Sequence, residues 1–160
     1  SLAVSHNKIG DLLIPLGRSA AAHDAYGQAL TIATTLAGRD PGNSLWQRDL
    51  AISHNKLGDI LTLLGDSPRA FDAYHCGLAI TLDLAARDPE NAIWQNDLAY
   101  SYSKLGGLAS GPTVAARRDY LQAGRAVLQG LKAAGRLPSA QDWTPWFDEQ
   151  LAGLPGETPP

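Results

Sequence analysis

With 160 residues, 44% of them hydrophobic and 18% charged, the chain has an ordinary globular balance and enough apolar content for a buried core, which excludes wholesale disorder. A formal net charge of −3, with 13 Lys and Arg against 16 Asp and Glu, supplies no clustered cationic footprint and excludes DNA and RNA as expected partners. The single cysteine, Cys76, cannot close an internal disulfide, and no run of about 18 apolar residues offers a membrane span, so a cytoplasmic location is expected.

The chain opens on Leu2-Ala3-Val4-Ser5-His6-Asn7-Lys8-Ile9-Gly10-Asp11, which Leu50 to Asp59 nearly reproduces and Leu98 to Gly107 repeats in decayed form. Ser5, Ser53 and Ser101 mark a constant interval of 48 residues, and Trp46 and Trp94, Tyr26 and Tyr74, and Arg39 and Arg87 keep it. A fixed period of this kind is the signature of a tandem array whose units bury their apolar faces against neighbours. There is no methionine, and the first unit lacks the equivalent of residues 40–49, so the chain is read as a piece of something longer.

Two antiparallel helices are predicted per unit. From Pro41 to Leu64 the apolar residues Trp46, Leu50, Leu57, Leu61 and Leu64 fall at helical spacing, and the segment after Pro89 repeats the pattern. Asp40-Pro41 and Asp88-Pro89 read as starts of these first helices, with Asp as N-cap and Pro at the first helical position. Gly17 and Gly65 suit left-handed C-caps, and Ser67-Pro68 a fresh start. The second helix then runs from about Pro68 to Arg87, with Ala70, Ala73, Tyr74, Gly77, Leu78, Thr81 and Leu84 on one stripe. Gly10, Gly58 and Gly106 are expected where the two helices of a unit approach closely. After Gly135 the register slips by one residue: Pro138 and Trp143 open a fourth unit that never completes. Thr144-Pro145 reads as N-cap and first position of a helix with Trp143, Trp146, Phe147, Leu151 and Leu154 on one face, a cap over the last hairpin's stacking surface. The Pro-rich tail 155–160 is expected to be disordered.

No constellation for catalysis, metal or cofactor stands out. His6 and His54 recur at equivalent positions without a second ligand at i+4, so they read as packing histidines. His75-Cys76 points in divergent directions on a helix. Lys8 with Asp11, and Lys56 with Asp59, read as solvated i,i+3 pairs. Ser5, Ser53 and Ser101 read as small residues at a tight helix contact. The once-per-repeat Trp46, Trp94 and Trp143 are expected in the core between repeats, whereas Trp146 lies off register, where an exposed face would suit a partner.

The order and spacing of Leu57-Gly58, Leu61, Gly65, Ala70, Tyr74 and Leu78, matched by Ile9-Gly10, Leu13, Gly17, Ala22, Tyr26 and Leu30, resemble the tetratricopeptide repeat. That family's unit is about 34 residues, whereas here the period is 48, so each helix should be longer by a turn or two. His6, His54 and Tyr102 stand where the family usually has tryptophan, and the third copy, with Leu105-Gly106, Ala116 and Tyr120, has a shortened turn. The resemblance implies an all-α fold: a right-handed superhelical solenoid of antiparallel helix pairs over residues 1–135, closed by a C-terminal capping helix over 136–154. It is similar to long repeats in bacterial multidomain proteins, where such arrays accompany signalling, nucleotide-hydrolysing or protease-like domains.

The resemblance further implies that the first helices line a concave groove for an extended peptide. Stepping by three or four, the candidate groove residues are Asn7, Asp11, Arg48, Ile52, Asn55, Asp59, Tyr100 and Ser103, with Val4, Ile14, Thr62 and Asn96 beside them. An asparagine amide offers both a donor and an acceptor to a peptide backbone; alternatively, Asn7 and Asn55 bond neighbouring helices. Stacked Lys and Arg that would clamp a C-terminal carboxylate are missing from these positions. The expected function is a non-enzymatic scaffold binding a peptide or a neighbouring domain, without cofactor or metal. The alternative is a structural module that self-assembles through its ends, particularly the Trp143/Trp146 region and the truncated first unit.

Overall fold

A computed structural model describes residues 1–156, and within them every regular element is helical. The order is α1 (Leu2–Leu13), α2 (Ser19–Arg39), α3 (Ser44–Leu63), α4 (Ser67–Arg87), α5 (Ala92–Gly107), α6 (Val114–Ala133), a short 3-10 turn (Ser139–Gln141) and α7 (Thr144–Gly153). Two compact units divide at Leu84/Ala85. In the first, α1 packs on α2, α2 on α3, and α1 also touches α3; in the second, α5 packs on α6 and α6 on α7.

The turns explain the helix limits. Gly17 and Gly65 take φ of 71° and 81°, and the amides of Arg18 and Asp66 reach back to the carbonyls of Leu13 and Leu61 at 3.1 and 2.9 Å. Only glycine adopts that backbone without strain, so α1 and α3 stop there. Asp66 then caps α4 by accepting from the Arg69 amide at 3.3 Å.

The first helices start later than Asp40 and Asp88. Asn43 and Asn91 are the N-caps, each accepting from the amide of a tryptophan, Trp46 or Trp94, at 3.2 Å. Asp40 instead ends α2 and opens a turn in which its carbonyl accepts from Asn43 N at 3.1 Å; Asp88 and Asn91 do the same at 3.1 Å. Pro41 and Pro89 therefore sit at the second position of a turn, the other site that suits a fixed φ.

The expected stripe on α4 is buried throughout: Ala70, Ala73, Tyr74, Gly77, Leu78, Thr81 and Leu84. Close approach at the repeated glycines also holds. A Cβ on Gly10 or Gly58 would run into the ring of Tyr26 or Tyr74, and one on Gly106 would lie 2.6 Å from Leu121 Cδ2. Within the second unit, Phe147 of α7 and Leu154 just after it join Ala99, Leu121, Leu128 and Leu131 in one core, with Trp143, Trp146 and Leu151 packed against it. Trp146 is therefore half-buried, in edge contact with Phe147 at 5.1 Å, and not an open platform. Trp143 donates from its indole to Asn96 Oδ1 at 3.4 Å.

Thr144 does not cap α7. The cap position is Trp143, and Asp142 Oδ1 accepts the Thr144 amide at 3.1 Å while Asp142 Oδ2 accepts from Lys132 Nζ at 2.7 Å. A carboxylate is the better acceptor at a helix start, where free amides and the helix dipole favour negative charge. Of the tail, Pro155 gives its carbonyl to Arg118 at 2.9 Å; the expectation of disorder at 157–160 lies outside the described residues.

Candidate interaction surface

The eight candidate groove residues do not share one environment. Asn7, Asn55 and Ser103, which stand at the same repeat position, are all buried, at 6%, 5% and 7% exposure. Asn7 donates from Nδ2 to Ser53 Oγ at 3.1 Å, tying α1 to α3, and Ser53 donates to its own helix at Asp49 O. Asn55 lies against α4, where a Cβ on Gly77 would come within 2.5 Å of its Oδ1. Ser103 donates to the Tyr100 carbonyl at 2.6 Å. Asn7 and Asn55 thus lie between packed helices, while Ser103 bonds within its own. Helical stepping placed them on the groove face because it separates a helix's faces without showing that a first helix touches the next first helix as well as its own partner.

Asp11 and Asp59 differ from them. Asp11 is exposed and Asp59 half-buried, and each is held by a buried phenol: Tyr26 donates to Asp11 Oδ1 at 2.7 Å and Tyr74 to Asp59 Oδ1 at 2.8 Å. Thr62 Oγ1 lies 3.2 Å from the Tyr74 hydroxyl, next to the same carboxylate. Lys56 pairs with Asp11 of the preceding repeat at 2.7 Å. The ion pair on Asp11 is thus a link between repeats and not the i,i+3 pair within one helix, because the Tyr26 hydroxyl fixes the carboxylate where the Lys56 ammonium reaches it. Arg48 and Ile52 are half-buried on α3. In the second unit Tyr100 is 41% exposed, with its ring edge-on to Trp143 at 6.3 Å and the Lys104 ammonium 4.8 Å above it.

One repeated pair escaped the sequence reading. Gln47 and Gln95 donate from Nε2 to the carbonyls of the buried Ala37 and Ala85, at 3.4 and 3.2 Å, and so satisfy acceptors in the last turns of α2 and α4. Their own recurrence at 48 residues was the available signal.

Chemistry at these positions is limited. His54 is half-buried and its pKa is lowered by desolvation, so it is neutral near pH 7. Cys76 is exposed, and the His75 ring packs on Phe71 at 5.9 Å. Among the described residues no three His, Cys, Asp or Glu side chains gather as metal ligands, and no helix is long and apolar enough to cross a membrane. No protein-family model matches the chain, and no curated protein matches its sequence.

Proposed function

We propose that the chain is a non-enzymatic interaction scaffold in which the hairpins stack as a right-handed solenoid of the tetratricopeptide type, capped by α7, and a protein or peptide segment lies against the first helices. The observation that carries this reading is the tyrosine–aspartate pair built twice, 48 residues apart. In each, a buried phenol orders a carboxylate that is not itself buried, so the entropy of fixing that acceptor is lost on folding and not again on binding. With Asn7, Asn55 and Ser103 buried, the residues of the first unit left to meet a ligand are Asp11, Arg48, Ile52 and Asp59. The two ordered carboxylates, Asp11 shared with Lys56, favour a neutral or basic extended segment whose affinity falls with salt. The proposed setting is the cytoplasm, and the resemblance implies a larger bacterial protein around the chain.

Labelled extended peptides of basic, neutral and acidic composition, titrated at low and high salt against the chain and against Asp59→Asn, test this. Basic peptides should bind, lose affinity as salt rises, and bind the variant several-fold more weakly. Acidic peptides that bind equally well under all these conditions would overturn it.

A further inference from the structure

The first helix of the chain exposes a stripe that its copies bury. Leu2, Ser5, Ile9 and Leu12 follow one another by three, four and three residues and so share one face of α1. Leu2, Ile9 and Leu12 are 63%, 47% and 69% exposed, and Ser5 is exposed too. At the matching positions of α3, Leu50 and Leu57 are half-buried, while Ser53 and Ile60 are completely buried. The main cover there is α2, which packs along α3: Ile60 clusters with Ala22 and Tyr26, with Leu57 against the same cluster, while Ser53 meets Asn7 of α1. Leu98, Ser101 and Leu105 at the matching positions of α5, and Leu108 at its C-cap, are buried as well. The same face thus occurs three times and is open once. Leu16 is not part of it, because Leu64 at the equivalent position stays exposed.

The clefts beside these faces agree. His54, Asp72 and Cys76 line a cleft of about 280 Å³ that Leu30 of α2 helps to wall. Their equivalents His6, Asp24 and Gln28 line a cleft of about 610 Å³ with no such wall. A helix placed on α1 as α2 is placed on α3 would supply it.

We infer that the Leu2/Ser5/Ile9/Leu12 face of α1 is a docking site for one further helical hairpin of this same 48-residue type, whose second helix covers α1 as α2 covers α3. The recognition is a ridge of large aliphatic side chains entering a groove of small ones: on α2 the groove is built around Ala22, Ala29 and Ala33, all buried to within 1%. A second copy of this chain fits less well. Two α1 faces would set ridge against ridge, and on α6 the small residue Gly124 is already under Phe147 of α7. This inference does not depend on the groove reading of Asp11 and Asp59.

Supplying the hairpin tests it. A copy of residues 1–48 placed directly ahead of Ser1 keeps the 48-residue register and puts a second helix before α1. Leu12→Glu in the original α1, now behind the added hairpin, should then lower the melting temperature of the extended chain by several degrees while leaving that of the unextended chain nearly unchanged. Leu12→Ala should give the same ordering if the glutamate prevents the extended chain from folding. Equal effects of the substitution in both chains would overturn the inference. So would light scattering that finds the original chain as a dimer which Leu12→Glu dissolves, since the occupant would then be a second copy.

Discussion

Phe147 of α7 lies so close to Gly124 of α6 that a Cβ built on the glycine would sit 2.5 Å from the ring Cζ. The absence of one side chain therefore seats the C-terminal helix on the second unit. Gly124→Ala should overpack this contact and cost about 1–3 kcal/mol, whereas Phe147→Ala should open a cavity and cost about 3–5 kcal/mol. Denaturant unfolding of the two single variants and the double variant would show the coupling, because once the ring is gone the nearest neighbour left to the alanine at 124 is Tyr102 Cβ, at 3.0 Å. Strict additivity would mean that the two residues do not meet in solution.

Burial of Asn55 against α4 makes it a stability residue. Asn55→Ala should lower unfolding stability by about 0.5–3 kcal/mol, the usual range for truncating a buried, closely packed side chain. A wild-type unfolding midpoint accompanied by weakened peptide binding would return Asn55 to the ligand-facing set.

The Tyr74 hydroxyl serves Asp59 and lies beside Thr62. Tyr74→Phe keeps the ring against Gly58 and removes only the hydrogen bond, so stability should fall by about 0.5–1.5 kcal/mol. Under the scaffold reading, affinity for a basic peptide should also drop, since Asp59 loses its ordering partner. A loss of stability with affinity intact would assign the pair to structure alone.

Asp142 sets a pH dependence. The Lys132 ammonium above all, and then the hydrogen bonds of Thr144, hold its carboxyl down at about 2, below the ordinary 3.8. A depressed folded-state pKa stabilises the fold above the unfolded value, and that contribution is lost as pH falls from near 3.8 toward 2. Lys132→Gln should therefore flatten the acid limb of the unfolding-midpoint profile in this window and change little above about pH 5. Parallel profiles for the two proteins would remove Asp142 as a contributor.

What the amino-acid pattern determines by itself is local. The 48-residue recurrence, the glycine stops at Gly17 and Gly65, the buried stripe of α4, the close approach at Gly10 and Gly58 and the apolar face of α7 all follow from backbone preference and helical period, which act within a few residues. Tertiary structure decided the rest, because a helix's period tells which residues share a face without telling which helices come to that face. Hence Asn7 and Asn55 became buried stitches, Lys56 bridged to Asp11 across 45 residues instead of three, and Trp146 joined the core. The helix starts moved from Asp40 to Asn43 for the same reason at shorter range: Asp and Asn are both good caps, and the turn closing α2 onto α3 used the aspartate first. Of the candidate surface, the carboxylates were readable as a recurrence, but the phenols that order them come from the opposite helix of each hairpin, 15 residues away, and only packing brings them together.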